Sequence, residues 1–141
     1  MSTLADHAVR LDFASRYELL EMVQTVLGQL AALAGFDDDT RHYMSVAVRE
    51  SVVNAIKHGN RQDAAKRVEI EFALNARSFG VSVRDHGEGF SPESVPDPLA
   101  PENLLKTAGR GIFFMRQFMD EVRYEFPPDG GTLVHMLKRR A

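Results

Sequence analysis

The sequence contains no cysteine and no tryptophan. Without cysteine there is no disulfide and no thiolate metal site, which fits a reducing cytoplasm. Long apolar runs are missing too: none approaches the roughly 18 residues of a membrane span, and the first residues carry no signal-peptide pattern. Charge of one sign is scarce. A net charge of -3 and a pI near 5.9 leave no electrostatic footprint for direct nucleic-acid binding. The only basic run, Lys138-Arg139-Arg140, reads as a solvated tail. Several familiar motifs are also absent. There is no G-x-x-x-x-G-K-[ST] phosphate loop, no G-x-G-x-x-G dinucleotide fingerprint, no H-E-x-x-H zinc site and no G-x-S-x-G hydrolase elbow. What remains is a cytoplasmic chain of 141 residues, read as one domain over residues 1–141 with enough length for its own core.

The patterning that is present divides the chain cleanly. His7 to Phe13 alternates, with Val9, Leu11 and Phe13 on one face, as a half-buried strand does. Ser15-Arg16-Tyr17-Glu18 matches a capping box opening a helix that runs to about Ala34 and stops at Gly35. Asp37-Asp38-Asp39 supplies N-cap candidates for a second helix ending near Gly59. Val68, Ile70, Phe72 and Leu74 then share one face of a strand, and Phe79, Val81 and Val83 one face of the next. Pro92, Pro96, Pro98 and Pro101 exclude regular structure through most of residues 91–108, and loops of that length are usually functional or disordered. A third helix is expected from Gly111 to about Met119, followed by two strands joined at Pro127 to Gly131. The order β-α-α-β-β-loop-α-β-β predicts a two-layer α/β sandwich with a mixed, largely antiparallel sheet and helices on one face.

Three stretches carry chemistry. In "RESVVNAIKHGN" helical periodicity gathers Glu50, Asn54, Lys57 and His58 within an arc of about 100° on an otherwise apolar helix. An amide oxygen at Asn54 suits Mg²⁺, which takes few protein ligands beside water and phosphate oxygens. Glu50, one turn earlier, stands where a general base or water-orienting carboxylate is useful. Lys57 can reach phosphate as a mobile charge, while an imidazole at His58 can equally meet the last helix carbonyls. In "VRDHGEGF" parity sends Asp85 inward, and a buried carboxylate needs donors. Gly87 and Gly89 let backbone approach a neighbour, such as a flat purine whose exocyclic amine meets Asp85, although a tight turn alone explains the pattern equally well. In "TAGRGIFFM" Gly109 and Gly111 flank Arg110 before a helix start, whose free N–H groups suit phosphate. There too a plain linker into an amphipathic helix is an even alternative. His7, His42, His86 and His135 are scattered and read as structural or exposed.

Taken together, Glu-x-x-x-Asn on a helix, Asp-x-Gly-x-Gly after a strand and Gly-x-Gly before a helix resemble the N, G1 and G2 boxes of the GHKL ATPase superfamily and its Bergerat ATP-binding fold. Within it, "RESVVNAIKHGN", "VRDHGEGF", "GRGIFFMRQFMDEV" and "GGTLVHMLK" look most like the small anti-sigma factors that are also serine kinases. The resemblance implies an Mg²⁺–ATP pocket under a movable lid at residues 91–108. It assigns Asn54 to the metal, Asp85 to the adenine amine, and Gly87 and Gly89 to the adenine lining. Gly109, Arg110 and Gly111 would close on the phosphates, with Thr132 supporting adenine through a water. Glu50 would activate a serine or threonine hydroxyl. The implied partners are a STAS-domain antagonist and a sigma factor, often with a homodimeric kinase. Two alternatives are a nucleotide-gated binding protein without useful turnover and the ATPase half of a histidine kinase. The latter is disfavoured because no phosphoacceptor helix precedes the domain.

Overall fold

The computed structural model describes residues 7–87 and 115–140, apart from the side chain of His58. Two helices and five strands account for most of them: β1 (His7–Ala14), α1 (Leu20–Leu33), α2 (Asp38–Asn54), β2 (Arg67–Leu74), β3 (Ser78–Arg84), β4 (Glu121–Glu125) and β5 (Leu133–Arg139). Residues 115–118 are also helical. The sheet runs in the order β1-β2-β3-β5-β4. Every pairing among the described residues is antiparallel, so the largely antiparallel sheet expected from the sequence appears here without a parallel pair.

Period-two patterning decides which face is covered. Val68, Ile70, Phe72 and Leu74 of β2 are buried, as are Phe79, Val81 and Val83 of β3 and Val134 and Met136 of β5. Against them lie Val23, Leu27 and Ala31 of α1 and Met44, Ala47, Val48 and Val52 of α2, forming one core. Phe79 is its hub, meeting Phe36 and Phe72 edge-on at centroid distances of 6.3 and 6.2 Å. Fully burying each such ring stabilises by roughly 1.5–3 kcal/mol. The opposite face is polar. Arg10 pairs with Glu71, directly opposite it in the β1–β2 register, at 2.5 Å, and Arg67 pairs with Asp12 at 2.8 Å.

Local chemistry sets most boundaries. The Gly35 φ of +90° ends α1, with the Phe36 N–H donating to the Ala31 carbonyl and the Gly35 N–H to that of Ala32. Asp37 caps α2 by accepting from the Thr40 N–H at 2.8 Å. At the β2–β3 turn, Asn75 Oδ1 accepts from the Arg77 and Ser78 N–H groups at 2.8 and 2.9 Å.

Four expectations need correction. The capping box at Ser15 does not form: a short 3₁₀ turn (Tyr17–Leu19) precedes α1 without any side-chain cap, because the buried Ser15 hydroxyl instead accepts from Asn60 Nδ2. Helix α2 is not apolar-buried all round, since Tyr43 is 46% exposed and stacks on Phe118 at 4.8 Å. Its α geometry stops at Asn54 and gives way to a π-helical turn (Ala55–Gly59). The basic run at the C-terminus is no loose tail. Lys138 and Arg139 reach Asp120 and Glu121, and the Arg140 guanidinium donates to the carbonyls of Ala34 at 3.0 Å and Asn75 at 2.8 Å. Among the described residues, no helix is long and apolar enough to cross a membrane.

Candidate functional site

The site is built where β3 ends. Inward parity continues one residue past the strand, so Asp85 is only 5% exposed. Its backbone extends the β3–β5 ladder, the Asp85 N–H donating to the Thr132 carbonyl at 3.0 Å. Its carboxylate then takes two main-chain donors on Oδ1: the Gly87 N–H at 3.0 Å and the Thr132 N–H at 3.1 Å. Burial is the largest influence and raises the Asp85 pKa above the usual carboxylate range, with these two N–H groups and the charges of His86 and Lys66 pulling it back. Among the described residues no side-chain cation forms an ion pair with it. A desolvated acceptor held by main-chain donors without a paired cation is costly for a fold, and such groups mark functional sites more often than chance.

Three glycines enclose this carboxylate. A Cβ on Gly59 would lie 2.0 Å from Asp85 Oδ2; one on Gly87 would lie 2.2 Å from the Gly59 carbonyl oxygen; one on Gly131 would lie 2.3 Å from the Asp85 carbonyl oxygen. Gly87 therefore has a packing reason to lack a side chain, quite apart from any ligand. The π turn is what delivers Gly59. Widening the helix by one residue after Asn54 carries the chain end against Asp85, and π turns of this kind recur at functional sites. Left-handed backbone at Arg61 (φ 52°) and Gln62 (φ 60°) then reverses the chain toward β2.

The remaining predicted residues fall as follows. Glu50 and Asn54 occupy the last two turns of α2, four residues apart and half-buried. Among the described residues no hydrogen bond or ion pair ties up either side chain. Lys57 is exposed within the π turn, which also includes His58. Asp85, Gly87 and Thr132 are brought into direct contact. Gly89, Gly109, Arg110 and Gly111, and the lid at 91–108, lie outside the described residues. The sequence reading missed Gly59, Asn60, Gly131 and Ser15. "HGN" looked like an ordinary helix stop and "DGG" like an ordinary turn; a second glycine directly before Thr132 was the available signal.

The donor set fits a nucleotide. Asp85 offers a dry acceptor for an exocyclic amine, and the amide of Asn54 offers a hard oxygen one helical run away. No group of three or more His, Cys, Asp or Glu residues able to hold a metal occurs among the described residues. A depression of about 280 Å³ on the outer sheet face, lined by Ala73, Gly80, Ser82 and His135, includes none of these residues.

The chain matches the histidine kinase-like ATPase domain over residues 13–138, and it belongs to that family. The GHKL resemblance and the α+β sandwich are thereby established, and membership implies use of ATP. Among curated proteins it is similar to the serine-protein kinase RsbW of Bacillus licheniformis, 26% identical over 98% of this chain and 88% of that protein. It is equally similar, at 26% identity over the same shares, to RsbW of Bacillus subtilis (strain 168). The anti-sigma F factor of Anoxybacillus flavithermus is 34% identical over 67% of this chain and 66% of that one. A solved structure of the RsbU and RsbW domains of a Mycobacterium tuberculosis protein shares the fold with a TM-score of 0.67 at 18% identity. It is covered over 94% of this chain, which spans 32% of that longer one.

Proposed function

We propose that this chain is a cytoplasmic anti-sigma factor that is also an Mg²⁺–ATP-dependent serine/threonine protein kinase, all 141 residues forming one catalytic domain. Its protein substrate is a STAS-domain antagonist, and its other partner is a sigma factor held in alternation with that antagonist by a homodimer. The observation that carries the reading is the Asp85 carboxylate, buried and, among the described residues, bonded to the backbone of Gly87 and Thr132 alone, in an ATPase-family chain similar to serine-protein kinases over 98% of its length.

In this reading Asp85 accepts from the adenine amine, with Thr132 and Gly87 fixing its carboxylate and Gly89 beside the ring. Asn54 lends its amide oxygen to Mg²⁺, which supplies charge stabilisation to the phosphates when bound. Lys57, His58, Gly109, Arg110 and Gly111 serve the phosphate end. Glu50 takes the proton from the substrate hydroxyl as its oxygen bonds to the γ-phosphorus. The bond from that phosphorus to the β–γ bridging oxygen breaks, and ADP leaves with the electron pair. Such transfer asks the protein mainly for positioning and charge stabilisation.

Transfer of labelled γ-phosphate to candidate antagonists tests this. Glu50→Ala should lower transfer by about 10²–10⁴-fold with ATP affinity retained; undiminished transfer would remove Glu50 from the mechanism. Tight ATP binding by the unaltered protein, without transfer to any antagonist, would leave a nucleotide-gated binder. Calorimetry that detects no heat from ATP or ADP with excess magnesium would overturn both readings.

A further inference from the structure

Asn60 is fully buried, at 0% exposure, and every polar atom of its side chain is engaged. Nδ2 donates to Ser15 Oγ at 3.1 Å and to the Arg67 carbonyl at 3.0 Å. Oδ1 accepts from the His86 N–H at 2.8 Å. Its own N–H closes the π turn onto the Ala55 carbonyl at 2.7 Å. One amide thus ties the end of β1, the start of β2, the end of the helical run and the residue next to Asp85.

The last of these links has a consequence for the carboxylate. Asp85 sits between two fixed points. On one side its main chain is paired with Thr132; on the other, the peptide that follows it is held by Asn60 Oδ1. Gly87, whose N–H holds Asp85 Oδ1, packs against the carbonyl of Gly59, the residue just before Asn60. Removing the Asn60 acceptor leaves a main-chain donor without its partner and frees the turn that aims the carboxylate, whereas the ladder to β5 persists.

From this geometry we infer that Asn60 is a positioning residue for base recognition: it sets where Asp85 presents its acceptor, and so controls discrimination between adenine and purines lacking the exocyclic amine. The inference rests on the ATP reading above and adds to it the residue that makes the reading selective. Asn60 touches no nucleotide itself. Its effect is transmitted through the 85–87 turn.

The test compares dissociation constants for ATP and inosine triphosphate, which carries a carbonyl where adenine carries the amine. The unaltered protein should favour ATP by about tenfold or more, as expected for a hydrogen bond to a charged group. In Asn60→Ala that ratio should fall toward one. In Asn60→Asp, which keeps an oxygen acceptor for the His86 N–H, part of the preference should return. Ser15→Ala removes a different Asn60 partner, on Nδ2, and leaves the Oδ1 bond to the His86 N–H in place; it should lower the melting temperature and leave the ratio intact. A folded Asn60→Ala protein with the full ATP preference overturns the inference alone. Equal binding of the two nucleotides by the unaltered protein overturns the adenine reading and the inference with it. Hydrogen exchange on the unaltered protein gives a check that no variant's folding can obscure: the His86 amide should be protected, and exchange at the rate of an open amide would overturn the link.

Discussion

The two ends of β3 solve the same problem in opposite ways. Where the strand begins, polar groups are satisfied by side chains at the rim: Asn75 folds over its own turn, and Arg140 donates to the Ala34 and Asn75 carbonyls. Among the described residues the left-handed backbone at this end is a single glycine, Gly35. Where the strand ends, a carboxylate is taken inside, held by main-chain donors, and walled by three glycines with no room for a methyl group. A π turn and two left-handed residues, Arg61 and Gln62, accompany it. The first end is arranged for stability. The second spends stability on placing one acceptor, and that difference separates scaffold from site.

The sharpest way to break the comparison is with alanine at a left-handed glycine on each side. Gly131→Ala meets both a forbidden φ of +81° and the Asp85 carbonyl; urea unfolding should show a loss of about 3 kcal/mol or more. Gly35→Ala has the same backbone problem at φ +90° but open space around it, and should cost only about 1–2 kcal/mol. Equal losses would mean that the crowding around Asp85 carries no weight.

Asp85→Asn should separate stability from binding. Because burial raises the Asp85 pKa, the native state holds a proton there more tightly than the unfolded chain does. The stabilisation linked to this group is complete below the ordinary aspartate value of about 3.9 and is lost as pH rises through the higher native value. Asparagine removes that slope while keeping an oxygen for the Gly87 and Thr132 N–H groups, so stability at neutral pH should hold or rise. ATP affinity should nonetheless drop about 10–100-fold. In the unaltered protein it should climb with pH as Asp85 ionises, and the variant should show no such climb. Calorimetric titrations across the acid range check both.

Arg140→Ala gives the smallest effect: about 1–2 kcal/mol lost in thermal or urea unfolding, from carbonyls left without their charged donor, with nucleotide affinity unchanged. A change in ATP binding there would show that the two ends are energetically joined through β3.

Much of this was legible before any coordinates. Strand parity has a period of two and tolerates no slip, so the inward set of β2 and β3, and Asp85 with it, could be read directly. Gly35 and Asp37 announced themselves because their roles are local. What escaped was long-range. Ser15 looked like a cap until Asn60, 45 positions away, claimed its hydroxyl. Gly131 looked like a turn because the group it must avoid belongs to Asp85, whose Oδ1 bonds Thr132 across a separation of 47. The π turn has no local signature either, since Ala55 to His58 are compatible with ordinary helix and Gly59 reads as a plain helix stop. Arg140 looked like part of a solvated tail for the same reason: its guanidinium acts 106 residues from Ala34.

The π turn also makes this protein unusually sensitive to the number of residues it contains. Loss of a single position between Ala55 and Gly59 would let the helix relax to ordinary winding, a gain in local geometry, and would draw Gly59 and Asn60 away from the partners they meet across the fold. The β2–β3 turn carries lighter ties, its own Asn75 and the Arg140 donors to the Asn75 and Arg77 carbonyls. Length changes should therefore be admitted at one end of the molecule and rejected at the other, even when every replaced side chain is innocuous.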